Sequence, residues 1–260
     1  MGYYSLISIM PKSAGIDPDA QAFLTASGIT NGTITSAINQ FVIDLKGYSL
    51  WTKLFACYPL VGGTSATHKW NLKDPRDLDA AYRLVFNGGW THSSTGALPN
   101  GTNGWANTYL VSQGTLGLNS TSFGVYSRTN LDRLAPSIGN VTGAASAECS
   151  LWLRTSNLSF IRVNGSTGSS TANTDSRGLF IANRVNSTQA QIQIRGTQTT
   201  FTNASNSLYT NPFQLGGVNP NFFDTKELAL AFIASGLTSQ NMTDLNTAVV
   251  AFETALGRNV

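Results

Sequence analysis

Pro212-Phe213-Gln214-Leu215-Gly216-Gly217, Glu227-Leu228-Ala229-Leu230-Ala231-Phe232-Ile233 and Ser235-Gly236-Leu237-Thr238 follow one another near the end of this chain. The first is a short apolar strand closed by a glycine pair, with a turn after it through Asn219-Pro220-Asn221. The second is the most apolar run in the sequence, and the third opens a helix with Thr238 at the N-cap. Met242, Leu245, Val249, Phe252 and Leu256 then recur at three- and four-residue spacing, and Gly257 stands at the stop position. Closing strands followed by one amphipathic helix predict a β-sandwich that carries a helix on one face.

The same helix opening occurs near the N-terminus. Ser27-Gly28-Ile29-Thr30 mirrors Ser235-Gly236-Leu237-Thr238. With Thr30 as N-cap, Ile29 and Ile34 form a hydrophobic staple, as Leu237 and Met242 do around Thr238. The stripe continues through Ile38, Phe41, Val42 and Leu45 to Gly47. An earlier helix starts at Asp17-Pro18-Asp19, with Asp17 as N-cap and proline at the first helical position, and runs to about Ser27. Helices at both ends of the chain predict a pair of amphipathic faces packed against one sheet.

Between them the pattern changes to short apolar or alternating runs divided by Gly, Asn and Ser. Strands are expected near 54–60, 67–72, 82–87, 107–111, 122–128, 149–154, 158–163, 178–184, 190–195 and 198–202. Many short strands with regular turn signals mean a sandwich or a barrel, and no linker divides them. The organisation expected is an N-terminal arm (1–16), a helical pair (17–47) and a β-sandwich with a C-terminal helix (48–260), folded as one unit.

Composition narrows the function classes. The chain has 260 residues, of which 41% are hydrophobic and only 11% charged, against roughly 25% charged in ordinary soluble proteins. That profile excludes disorder and suits a β-rich protein with polar turns, working outside cells or inside an assembly. The net charge is +3, and Lys69, Lys73 and Arg76, interrupted by Asp74, are too sparse for a nucleic-acid stripe. No apolar run has the length of a membrane span. Met1 to Met10 lacks the basic flank and cleavage site of a signal peptide, so Met1–Ala14 reads as an arm that docks on a partner. Cys57 and Cys149 show no metal-ligand spacing and read as buried thiols of a protein folded in a reducing compartment. Asn-x-Ser/Thr sequons such as those at Asn31, Asn100, Asn140 and Asn203 are expected by chance at this composition.

Particular residues carry a resemblance. Phe213-Gln214-Leu215-Gly216-Gly217, Phe222-Phe223 and the strand and Gly-Leu-Thr helix after them resemble the closing section of concanavalin A-like (laminin G-like) jelly rolls. The whole chain resembles bacteriophage virion structural proteins that carry this jelly roll. The matching residues are Asp17-Pro18-Asp19-Ala20-Gln21-Ala22-Phe23, Leu50-Trp51-Thr52-Lys53 with Tyr58-Pro59, and Asn71-Leu72-Lys73-Asp74-Pro75-Arg76-Asp77-Leu78-Asp79. Phe86-Asn87-Gly88-Gly89-Trp90-Thr91-His92 and Phe252-Glu253-Thr254-Ala255-Leu256-Gly257-Arg258 complete the match. The resemblance implies a mainly β, two-sheet jelly-roll sandwich on the head or tail surface of a phage, folded in the bacterial cytoplasm. It implies contacts with other virion proteins and brings no catalytic residues with it.

The sharpest binding candidate lies in the loop-rich stretch Gly88–Tyr109. Trp90 and Trp105 can stack on sugar rings, while Asn87, Asn103 and Asn107 offer donors and acceptors to hydroxyls. The competing role for both tryptophans is a plug in the core or a subunit interface. Asp74, Asp77 and Asp79 are weak calcium candidates, because Asp74-Pro75 also reads as a capped helical turn that Arg76 neutralises. No other cofactor is expected. A glycosidase needs two facing carboxylates. Glu148, Glu227 and Glu253 are the only glutamates, and Asp224 with Glu227 is the closest late acidic pair, more readily a turn cap and an edge charge. The function expected is a non-enzymatic phage surface subunit, assembled as a homo-oligomer and binding host-surface glycans. The alternatives are a stand-alone lectin-like module and, last, a polysaccharide hydrolase.

Overall fold

A computed structural model of the chain describes residues 15–140, 148–218 and 221–260. The N-terminal arm up to residue 14 and the Asn219-Pro220 part of the expected turn lie outside the described residues. Helices α1 (Pro18–Ser27) and α2 (Gly32–Gly47) come first, then β1 (Leu54–Tyr58) and the single-turn α3 (Ser65–His68). Strands β2 (Val85–Asn87), β3 (Trp90–Ser93), β4 (Gly96–Pro99), β5 (Trp105–Val111), β6 (Thr121–Ser127) and β7 (Ile138–Gly139) follow. Next come β8 (Glu148–Thr155), β9 (Leu158–Gly165), β10 (Ser169–Ala172), β11 (Gly178–Arg184), β12 (Gln189–Ile194) and β13 (Thr197–Thr202). The chain closes with β14 (Pro212–Leu215), β15 (Gly217–Val218), β16 (Phe222–Phe223), β17 (Leu228–Ala234) and α4 (Ser239–Ala255). The protein is the expected mainly β sandwich with two N-terminal helices and a C-terminal helix.

Two antiparallel sheets face each other. One has eight strands in the order β13-β12-β11-β6-β17-β4-β3, with β1 also paired to β17. The other has seven, β10-β9-β8-β7-β14-β5-β2, and β15-β16 is a separate hairpin. Phe123, Val125, Phe180, Ala182, Ala231 and Ile233 from the first sheet meet Cys149, Leu151, Leu153, Ile161, Val163, Phe213 and Leu215 from the second. A second core lies on the other side of the eight-stranded sheet, where Leu179, Ile181, Leu230 and Phe232 pack against α1, α2 and α4. That double burial explains why Leu228–Ala234 reads as continuously apolar: alternate side chains enter different cores, and neither set faces water.

The helices are placed by their caps. Asp17 accepts from the Asp19 amide at 3.0 Å, and Gly28 ends α1 in the left-handed region at φ 68°. Thr238 and Asn241 form a reciprocal capping box at the start of α4. The N-cap of α2 is Asn31, not Thr30: the Asn31 Oδ1 accepts from the Ile34 amide at 3.1 Å. The staple geometry around Thr30 is therefore not formed, although Ile29 and Ile34 both still pack on the helix-side core. Phe41 of α2 stacks on Phe252 of α4 with ring centroids 4.6 Å apart.

Other expectations are corrected by local hydrogen bonding. The strand expected at 67–72 is α3 and a turn, because Thr64 and Thr67 build a capping box there. Asp74-Pro75 starts no helix. Asp74 is instead chelated by Arg76, and a short 3-10 turn forms later, at Asp79–Ala81. The loop-rich stretch Gly88–Tyr109 contains β3 and β4, which were not expected, and β5 starts two residues before the strand expected at 107–111. Strands β7, β10, β15 and β16 were not expected. They are two to four residues long, too short for a period-two pattern to show.

Buried charges tie the C-terminus down. Arg258 donates to both Glu253 oxygens, at 2.8 and 2.9 Å, and to the carbonyls of Pro59, Leu60 and Ala229. Asp224 and Lys226, both fully buried, pair at 2.9 Å, and the Ser137 hydroxyl donates to Asp224 at 2.5 Å. Cys57 and Cys149 are free and buried, and desolvation pushes both thiols up to about 12.

Candidate functional site: the outward face of the seven-stranded sheet

The five residues singled out from the sequence lie in one neighbourhood, with Asn87 opposite Trp105 in the β2–β5 register, and take different roles there. Trp90 lies at the rim of the inter-sheet core. Its Nε1 donates to the carbonyls of Asn87 (3.1 Å) and Trp105 (3.4 Å), and Phe86 packs on it edge-on. A Cβ on Gly216 would come within 2.4 Å of the Trp90 ring, so the glycine, at φ +74°, makes room for it. Asn103 Oδ1 accepts from the Gly89 amide and from Asn100 Nδ2, and Asn87 Nδ2 donates to the Val85 carbonyl. These groups hold the turns in shape.

Trp105 and Asn107 are placed differently. They alternate along β5 with the buried Ala106, so they project from the outward face of the seven-stranded sheet. Asn107 Oδ1 accepts from the Tyr109 amide at 2.9 Å. From Asn107 the register runs across the sheet through Gln214, Gly139 and Ser150 to Arg162. Gly139 has no room for a side chain, since a Cβ would sit 2.7 Å from the Cys149 carbonyl. It leaves a low floor between Gln214 and Ser150.

The far end of this row is the chemically unusual part of the molecule. On β8, Cys149, Leu151 and Leu153 enter the core, which turns Glu148, Ser150 and Trp152 outward. Among the described residues, five buried side-chain atoms lack a hydrogen-bond partner. Four of them are here: Glu148 Oε2, Ser150 Oγ, Trp152 Nε1 and Arg162 Nε. The fifth, Asn246 Oδ1, is on α4. Glu148 and Ser150 are only 2% and 1% exposed. An orphaned buried polar group costs about 1–3 kcal/mol, so four neighbours in one place are a concentrated debt that a ligand or water can relieve.

Rings frame the cluster. Trp152 meets Phe160 and Phe222 edge-on, at 6.3 and 5.2 Å between centroids. The Arg162 guanidinium lies 5.4 Å from the Phe160 ring and pairs with Glu148 through Oε1. Desolvation pulls Arg162 below its ordinary range. Trp105 stands three strands away from Trp152, roughly 14 Å at normal strand spacing. The face is therefore a polar strip, charged only where Glu148 pairs with Arg162, with aromatic groups at each end.

The sequence carried a signal for this cluster that the expectations above did not use. Glu148-Cys149-Ser150-Leu151-Trp152-Leu153-Arg154 alternates strictly, and its polar phase collects a carboxylate, a hydroxyl, an indole and a guanidinium. The calcium candidates are otherwise engaged. Asp77 pairs with Lys69 and Arg83, which lower its pKa, Asp79 pairs with Arg83, and Asp74 pairs with Arg76. Asp224 and Glu227 are also occupied, the latter by Arg128 and the hydroxyls of Ser93 and Thr95.

Comparison with known proteins supports the fold and stops there. No protein-family model and no curated protein matches the sequence. Among solved structures, Trypanosoma rangeli sialidase in complex with 2,3-difluorosialic acid is similar at TM-score 0.55 and 11% identity. The match covers 84% of this chain and 39% of the sialidase. The binding domain of Paraclostridial mosquitocidal protein 1 is similar at TM-score 0.51 and 8% identity, over 77% of this chain and 53% of that one. Domain 4 of an extracellular arabinanase from Geobacillus stearothermophilus, in complex with arabinotriose, gives TM-score 0.47 and 13% identity over 75% of this chain and 98% of that domain. The chain thus spans about two fifths of the sialidase and half of the toxin domain.

Proposed function

We propose that this sandwich is a carbohydrate-binding module without catalytic activity, and that its ligand lies across the outward face of the seven-stranded sheet. The observation that carries the reading is the set of orphaned groups on Glu148, Ser150, Trp152 and Arg162, framed by the rings of Trp152, Phe160 and Phe222. Sugar hydroxyls are donors and acceptors at once, and the apolar face of a sugar ring stacks on aromatics. The similarity in fold to a sialidase and to a toxin binding domain is consistent with this reading.

The sequence resemblance adds a setting. In this proposal the chain is a structural subunit on the head or tail surface of a bacteriophage, repeated as a homo-oligomer among other virion proteins and touching host-surface glycans. Buried free thiols suit folding in the host cytoplasm before assembly. Repetition on a particle would turn weak single-site contacts into firm attachment.

The test is binding of the purified protein, alone and presented multivalently, to bacterial cells and a panel of their surface polysaccharides. Saturable binding is expected, weakened in Trp152→Ala and Trp105→Ala with circular dichroism unchanged. Trp90→Ala should act through folding instead, since that ring fills the rim of the core. Absence of binding even in the multivalent form would overturn the carbohydrate reading and leave a purely structural subunit.

A further inference from the structure

We infer that the ligand of this face is a neutral saccharide, with acidic sugars excluded, and that Glu148 is the residue that sets this specificity. The inference rests on the carbohydrate reading above and concerns its ligand class. The unused capacity at the site is mixed. Glu148 Oε2 can only accept, Trp152 Nε1 and Arg162 Nε can only donate, and Ser150 Oγ can do both. A run of vicinal hydroxyls matches all four in kind. A carboxylate or sulfate could use only the donors, and would stand against the Glu148 carboxylate with nothing to offer it. An ammonium group would leave both donors idle.

Charge points the same way. Arg162 is the nearest cation, and Glu148 Oε1 already neutralises it. Arg154, next along β8, is paired with Asp132 and bonded to Asn130 and Asn157. Arg133 spends its guanidinium on the carbonyls of Gly101 and Phe223. The remaining outward groups of the row, Gly139, Gln214, Asn107 and Trp105, carry no charge. Among the described residues, Arg162 and Arg154 are matched by carboxylates, and Arg133, which has none, has its donors taken up by carbonyls, so no guanidinium is left open for a sialate or uronate.

The experiment titrates the wild-type chain with neutral polysaccharides (a glucan, a galactan, a mannan) and acidic ones (polysialic acid, an alginate), following tryptophan fluorescence at low and high salt. At least one neutral polymer should bind with an affinity unchanged by salt, and acidic polymers should not bind. Ser150→Ala should weaken neutral binding roughly tenfold without changing the charge preference. Glu148→Gln should leave Arg162 uncompensated and admit acidic polymers, in a salt-sensitive manner. Salt-sensitive acidic binding to the wild type would overturn the inference while leaving carbohydrate binding intact. Loss of every polymer would remove both.

Discussion

The two outer faces of this sandwich are built from the same strand periodicity and end up with opposite chemistry. On the eight-stranded sheet, Leu230 and Phe232 lie beneath α2 and α4, and the buried ion pair there, Glu253 with Arg258, has every guanidinium nitrogen and both carboxylate oxygens engaged. On the seven-stranded sheet the ion pair of Glu148 with Arg162 leaves one oxygen and one nitrogen unused, beside an idle hydroxyl and an idle indole. The difference teaches how to tell a scaffold from a site. Where a buried charge serves only stability, its partners are complete, because each missing one costs free energy. Unused capacity is retained where something else is meant to use it.

The strongest way to break this contrast is to delete the acid from each pair. Glu253→Ala strands Arg258, which is 1% exposed, and should cost about 3–5 kcal/mol in denaturant unfolding. Glu148→Ala strands Arg162, whose side chain is a third exposed and can turn to water, and should cost about 1 kcal/mol. Equal losses in the two variants would mean that the outward face is as structural as the helix-covered one.

Acid should attack the scaffold through the histidines. His68 Nε2 accepts from the Gly63 amide at 3.2 Å, so its proton sits on Nδ1 and is donated to His92 Nδ1 at 2.9 Å. A second proton on His68 would displace the Gly63 amide hydrogen bond, and the Arg258 charge opposes it. Burial, with His92 and Arg258 adding to it, lowers the pKa from 6.5 to about 3. The unfolded chain therefore binds this proton first. Stability is full above pH 6.5 and falls as pH drops toward 3, by about 2 kcal/mol at pH 5. Unfolding curves at pH 7 and pH 5 measure the loss, and His68→Gln should flatten it. An unchanged slope in that variant would place the acid sensitivity elsewhere.

What could be read in advance follows from how each feature is encoded. The end helices were legible because caps and glycine stops are local: Asp17, Thr238, Gly28 and Gly257 sit within a residue or two of what they specify. The cap of α2 was read one residue early, at Thr30, because the neighbouring Asn31 that forms it has an equally suitable side chain. The long central strands were legible because burial on both faces makes continuous apolar runs. The site was only half legible. Trp105 and Asn107 stand out in the chain and do face outward, but Trp90 looks the same in sequence and fills the core rim. Ser150 and Arg162 become neighbours only through the β8–β9 register, and no local pattern states that a hydroxyl will lack a partner.

The smallest expected effect is the most discriminating. Ser137, one residue before β7, and Ser150, on the neighbouring β8, are both fully buried, at 0% and 1% exposure. Ser137 donates to Asp224 at 2.5 Å, in a charge pair sealed from water. Ser137→Ala removes a donor from a buried carboxylate and should cost about 1–3 kcal/mol. Ser150→Ala removes a hydroxyl that bonds to nothing among the described residues, together with the penalty of burying it. Its unfolding free energy should stay within about 0.5 kcal/mol of the wild type or rise slightly. A stabilised protein that binds its saccharide less tightly is the signature of a group kept for a ligand. A loss comparable to that of Ser137→Ala would instead make Ser150 an ordinary part of the scaffold.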